Sequence, residues 1–359
     1  MLFFLLENQL HQSIGAQNMN YKHMLMLVLS ATVLSGCATG VQVTHSPLVA
    51  TNSEQITFTA KSFETTPTAD SRTIQILVNA ALVKECDYSP CTYTGGPYED
   101  GYLHYAANVK TQGEFLGFPV NVTQVDGYYH TEITDAGYAS SNQYIRGRVR
   151  STSTSTADNA DMVFHMADDY ADAGEDMSDF VDDATDKVQD ILGSQDILEE
   201  ELNHLNFWVY KRQASASGCG TVHTLAPSEV SFGDVDAVLH TEEFRDCTSG
   251  THFSAEGYNT KAFLHETAHA LIDLGDEYDG DTCYSCVGSP EQNIFATEGG
   301  CQMEQNIKGR DPTACYEFTA EDSGWWGIHT GTTVMTTGNV GNPWGVEATE
   351  RVDWFFSGF

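Results

Sequence analysis

The stretch YNTKAFLHETAHALIDLGDEY (258–278) decides how the rest of the chain is read. Phe263, Leu264, Ala268 and Leu271 recur at helical spacing, so residues 258–274 read as a helix that Gly275 ends. Inside it lies His265-Glu266-Thr267-Ala268-His269, an H-E-x-x-H pattern. On a helix, positions i and i+4 share a face and lie about 6 Å apart along the axis. Two imidazoles so placed can converge on one Zn²⁺. Glu266 then stands beside the first ligand, where its carboxylate can take a proton from metal-activated water as that water attacks a carbonyl.

A catalytic zinc needs a third protein ligand and an open position. Asp276 and Glu277 follow Gly275 directly. Were the helix to continue, Asp276 would lie roughly 10 Å beyond His269 along the axis, too far to share a metal. A chain reversal at Gly275, where glycine tolerates positive φ, would bring it back. Asp276 is therefore the expected third ligand. Glu277, or a downstream acid such as Glu298 or Glu304, is the alternative. Asp279 and Asp281 offer oxygen donors for a Ca²⁺ ion, although an acidic surface explains them more simply.

Outward from the motif, residues 162–166 (MVFHM) read as a short buried strand. Residues 174–192 read as a helix, with Met177, Phe180, Val181, Ala184, Val188, Ile191 and Leu192 on one stripe. Residues 206–211 and 234–240 read as strands. Strand, helix, strand and strand before the H-E-x-x-H helix describe an α+β unit. This domain is expected over 159–359. Ahead of it, STSTSTAD (151–158) is a low-complexity run expected to be a linker.

Residues 54–150 carry a different rhythm. Ile56, Phe58 and Ala60 alternate with polar residues, as do Ile74, Ile76 and Val78, and Leu103, Tyr105, Ala107 and Val109. Turn chemistry separates these runs, so an all-β sandwich is expected. Residues 86–105 (CDYSPCTYTGGPYEDGYLHY) resemble bacterial immunoglobulin-like modules of cell-surface proteins, and the module is expected to act as a spacer. Arg146, Arg148 and Arg150 share one face of a strand and are expected on a solvated face or as internal partners for the acidic surface. Residues 38–53 read as a polar tether.

The N-terminus carries an address. Met19 opens a short polar segment with Lys22 and His23, then an apolar run over 24–34, then Leu34-Ser35-Gly36-Cys37. This looks like a bacterial lipobox, with Cys37 as the lipidated residue. On this reading residues 1–37 are a start extension and a lipoprotein signal peptide. Ala38 after the cysteine resembles outer-membrane sorting in Gram-negative bacteria. The expected location is the cell envelope, on the outer membrane, held by the lipid anchor alone. In that oxidising compartment the other eight cysteines read as four disulfides. Local pairings are Cys86–Cys91 and Cys219–Cys247, with Cys283, Cys286, Cys301 and Cys315 paired among themselves. The alternative for those four is a structural zinc site.

Composition narrows the partners. The chain has 359 residues, 41% hydrophobic and 11% aromatic, enough to bury real cores. Its 51 acidic residues against 16 basic ones give a formal charge of −35. Such a surface repels nucleic acid and anionic lipid and suits saline water.

HETAHALIDLGDEY (265–278) resembles the H-E-x-x-H…D-E-Y signature of the IgA-peptidase family of bacterial zinc metallopeptidases. DMVFHMADDY (161–170) is similar to the strand that opens that domain, and LNFWVYKRQASASGC (205–219) to its later strand and Ser-rich turn. The likeness covers roughly residues 160–355. It implies an α+β zincin-like metallopeptidase domain, with the metal in a cleft between two halves. It implies His265, His269 and Asp276 as ligands and Glu266 as general base. It also implies a methionine-containing turn beneath the metal, here at Met335. Ala268 and Asp273 depart from the family, which is Gly-rich at those places, and bear on the chain reversal. His329, just before the methionine-containing turn, is a candidate to assist at an oxyanion, though an ordinary hydrogen-bonded surface histidine explains it more simply. The function expected is peptide-bond hydrolysis of polypeptide substrates. The alternative is a surface adhesion or glycan-binding lipoprotein with a non-catalytic domain of the same kind.

Overall fold

The computed structural model describes residues 40–63, 71–115, 118–134, 144–150, 159–193, 198, 201–214, 232–243, 246–258, 260–277, 287–318, 324–328, 333–337 and 344–358. The first part is all strand: β1 (Gly40–Ser46), β2 (Ala50–Thr51), β3 (Ile56–Phe63), β4 (Ser71–Val78), β5 (Ala81–Cys86), β6 (Cys91–Gly95), β7 (Gly101–Phe115), β8 (Phe118–Thr134) and β9 (Tyr144–Arg150). The alternating residues read from the sequence do share a core. Ile56, Phe58, Ala60, Ile74, Ile76, Leu103, Tyr105, Ala107 and Val109 are all buried in one cluster. That cluster lies between a three-stranded sheet, β1-β3-β6, and strands β5, β4, β7 and β8 of a larger sheet. The expected Cys86–Cys91 disulfide joins β5 to β6.

Next come β10 (Ala160–Ala167), α1 (Asp169–Ala173), α2 (Met177–Gly193), β11 (Leu205–Ala214), β12 (Val235–His240), β13 (Thr248–Ser249), β14 (His252–Glu256) and α3 (Thr260–Ile272). Strands β14, β12, β10 and β11 are parallel neighbours. A parallel sheet must be covered on both faces, and β10 and β12 are buried along their whole length. Helices α2 and α3 share one core with this sheet. Phe164 stacks between Phe207 and Phe263, each at 6.1 Å between ring centres. The last part holds β15 (Ile294–Phe295), α4 (Glu298–Ile307), β16 (Cys315–Glu317), β17 (Trp326–Ile328), α5 (Val334–Thr337) and α6 (Val346–Phe356). A three-stranded sheet, β15-β17-β16, and the Cys301–Cys315 disulfide brace it.

This architecture corrects the expected fold class. The chain is not an α+β zincin-like domain preceded by a separate immunoglobulin-like sandwich. Strand exceeds helix, and the two regions share one mixed sheet ordered β13-β14-β12-β10-β11-β9-β8-β7-β4-β5. The physical reason lies in β9. It pairs antiparallel with β8 on one side and with β11 on the other, so neither region ends in a free edge there.

The expected tether is also corrected. Residues 40–46 form β1, with Val41 and Val43 in the first core. Leu48 is buried in the second core, and its N–H donates to Thr185 Oγ1 of α2 at 2.6 Å. The arginine face is corrected at Arg148, which is fully buried. Its guanidinium lies 3.8 Å over the Tyr129 ring and donates to the Leu202 carbonyl at 2.5 Å. The 151–158 linker, Cys37, Cys219, Cys283, Cys286, Asp279, Asp281 and His329 lie outside the described residues. Among the described residues no helix is long and apolar enough to cross a membrane.

Candidate metal centre

Helix α3 forms because one stripe of it is apolar. Phe263, Leu264 and Ala268 are fully buried against the sheet, and Phe263 also meets Phe253 of β14 at 5.9 Å. That packing fixes the helix and turns His265 and His269 to a common side. Their rings stand edge to face, with centres 4.6 Å apart. The Nε2 atoms are 3.1 Å from each other. Each Nδ1 is committed to a backbone carbonyl: His265 to Val334 O at 3.1 Å and His269 to Leu274 O at 2.5 Å. An Nδ1–H donating to a carbonyl leaves Nε2 as the lone-pair atom, the tautomer a metal requires.

Asp276 completes the set. Its Oδ1 lies 3.1 Å from His265 Nε2 and 3.3 Å from His269 Nε2. Three donors thus form a nearly equilateral triangle with edges of 3.1, 3.1 and 3.3 Å. Two ligands of a tetrahedral zinc, each about 2.0–2.1 Å from the metal, stand about 3.3 Å apart. The triangle fits one face of that tetrahedron. Asp276 Oδ1 is buried and makes no hydrogen bond among the described residues. A buried carboxylate oxygen facing two lone pairs is costly unless a cation sits among them. This is the one group of three such side chains among the described residues with donor atoms close enough to hold an ion.

The charges respond to this crowding. Burial alone would push the Asp276 carboxyl up, but the two imidazoles hold it well below the ordinary carboxylate range. In the metal-free site a proton takes the cation's place: burial lowers His265, yet Asp276 and the charge of Glu266 outweigh it and raise the imidazole to about 9, so a bound zinc displaces that proton from Nε2. Glu266 is displaced upward, first by burial. Its Oε2 accepts from Thr248 Oγ1 of β13 at 2.6 Å. This contact ties the carboxylate to the edge of the large sheet.

The chain reversal that delivers Asp276 occurs, but not where the sequence placed it. Asp273, not Gly275, adopts positive φ (56°). Its N–H donates to His269 O, and the next N–H, of Leu274, donates to Ala268 O. Aspartate is among the few residues that tolerate this region. Arg351 of α6 secures the cap, donating Nε to Ile272 O at 2.7 Å and Nη1 to Pro290 O at 2.7 Å, with Nη2 3.0 Å from Asp273 Oδ2. Gly275 serves close packing: a Cβ there would stand 2.3 Å from Ile294 Cδ1.

The alternative ligands do not reach the triangle. Glu277 accepts from Thr333 Oγ1 at 2.6 Å and from Asn293 Nδ2 at 3.1 Å. Burial raises its carboxyl to about 7. Glu298 accepts from Gln302, and Glu304 pairs with Lys308 at 3.0 Å. Met335 is fully buried in the main core, within the short helix α5. Its neighbour Val334 supplies the carbonyl that orients His265, and its own carbonyl accepts from Glu277 N at 3.2 Å.

Sequence reasoning missed Thr248, Asn293, Thr333 and Arg351. Only Arg351 left a signal, because it falls on the buried side of a helix that also buries Ala348, Val352 and Phe356. Compared with models of known protein families and with curated proteins, the chain matches none.

Proposed function

We propose that the protein is a zinc-dependent endopeptidase of the cell envelope. The observation that carries this reading is the triangle of His265 Nε2, His269 Nε2 and Asp276 Oδ1, with the buried Glu266 next in the chain to His265. Three neutral or anionic donors, with no fourth among the described residues, are the set of a catalytic zinc, which keeps one position open. A zinc ion bound there supplies a Lewis acid that polarises a carbonyl and makes water nucleophilic near neutral pH.

The protein's own groups do the rest. Val334 O and Leu274 O hold the imidazoles in the ligating tautomer. Thr248 holds the Glu266 carboxylate in one orientation. Glu266 takes a proton from the attacking water as the C–O bond forms. It gives that proton to the amide nitrogen as the C–N bond breaks, and the products are a carboxylic acid and an amine. No covalent intermediate with the protein is needed.

The resemblance noted at residues 265–278 and the lipobox at Cys37 support polypeptide as substrate and the outer membrane as location. The test is metal dependence. The full chain in detergent should hold one zinc. Chelation should abolish peptide hydrolysis, and added zinc should restore it. Hydrolysis that survives complete removal of metal contradicts the proposal.

A further inference from the structure

Asp276 is the least supported of the three donors, because its Oδ1 receives no hydrogen bond among the described residues. Its aim must come from the residues on either side. Both are held by one side chain. Asn293 accepts from Gly275 N–H at Oδ1 (2.9 Å) and donates from Nδ2 to Gly275 O (2.7 Å). The same Nδ2 donates to Glu277 Oε1 at 3.1 Å. The Asn293 amide thus closes a ring on the backbone just before Asp276 and pins the side chain just after it. Asn293 is itself 2% exposed and immediately precedes β15. The first residue of that strand, Ile294, packs against Gly275 where a side chain would otherwise stand. The clamp is therefore anchored in the β15-β17-β16 sheet, not in the turn it holds.

We propose that Asn293 is a positioning residue for the metal centre: it fixes Asp276 over the two imidazoles and so sets the affinity for zinc. This rests on the metal-binding reading above. Without the amide, Gly275 N–H and O lose their buried partners and the turn relaxes. His265 and His269 keep their own carbonyl partners, so the centre falls back to two well-held ligands.

The test compares the full chain with Asn293→Ala and Asn293→Asp. Asn293→Asp keeps size and the acceptor for Gly275 N–H, but presents oxygen where Gly275 O and Glu277 need a donor. Zinc affinity is measured by competition with a coloured chelator. Cobalt substitution gives a visible spectrum that follows coordination geometry. Near-ultraviolet circular dichroism in chelator checks the metal-free fold, and if Asn293→Ala does not fold, Asn293→Asp decides. The expected result is roughly 10–100-fold weaker zinc binding in the folded variants, the usual cost of losing an outer partner of a ligand. The cobalt band should change with it. Variants that bind zinc as tightly as wild type, with an unchanged cobalt spectrum, overturn the proposal and leave the metal centre standing. A wild-type chain that holds no zinc overturns the metal reading itself.

Discussion

Thr248 shows how much of this site rests on single atoms far apart in the chain. Its hydroxyl donates to Glu266 Oε2 at 2.6 Å from the sheet edge. A hydrogen bond to a charged group contributes about 1.5–3 kcal/mol, and 1.4 kcal/mol is about tenfold in rate. Thr248→Val should lower kcat/KM by about tenfold or more with zinc content unchanged, and Thr248→Ser should restore most of it. Steady-state kinetics beside metal analysis checks this, and a Val variant at wild-type rate would refute the role. The two histidines and Glu266 were legible because helical spacing alone brings i and i+4 together. Asp276 was legible only on the condition of a turn. Thr248, Thr333 and Asn293 were not, because nothing local marks a residue whose partner lies 16 to 56 positions away.

Helix α3 positions two donors, and its C-terminal turn positions the third. The turn depends on α6 through Arg351, which is 2% exposed and satisfies the carbonyls of Ile272 and Pro290. Arg351→Met would leave the buried Ile272 carbonyl without that partner, a cost on the order of 1–3 kcal/mol, and would remove the bond to the more exposed Pro290 carbonyl. Urea unfolding of the metal-free chain should show that loss, and zinc affinity should fall as well. An unchanged midpoint would mean that α6 does not brace the turn. Period 3.6 marked α2 and α3, and period 2 marked β3, β4 and β7; β10, β11 and β12 were read as short strands without such a period. The turn was misplaced by two residues, because glycine at 275 is the usual choice for positive φ. Here Asp273 takes that conformation with Arg351 beside it, and Gly275 answers to the close approach of Ile294.

Over the whole molecule, one mixed sheet runs through the two regions that the sequence reading gave separate folds. Alternation reports which face of a strand is buried, not which strand lies beside it. The junction at β9 and the buried β1 were therefore invisible. Buried carboxyls have a consequence for stability. Burial, first among the causes, raises Asp161 and Asp190 to about 6 and Glu277 to about 7. For such acids the folded state binds more protons than the unfolded state between the two pKa values. Stability is then greatest below the unfolded pKa and falls as pH rises through the folded one. His45, which burial lowers to about 4, works the other way, but three raised acids outweigh one lowered imidazole, so the metal-free chain should lose stability between about pH 4 and pH 7. Urea midpoints across that range check this, and a midpoint that rises with pH contradicts the assignment. Zinc at 100 times its Kd should restore about 2.7 kcal/mol, if it binds only the folded chain.

The central claim is that Glu266 moves the proton in a zinc-dependent peptide cleavage. The most direct measurement is a digest of a proteome-derived peptide library by the full chain beside Glu266→Gln, each with its zinc content determined. We expect one zinc in both and cleavage by the wild type alone. Equal cleavage by both, or none by either while both hold zinc, would contradict it.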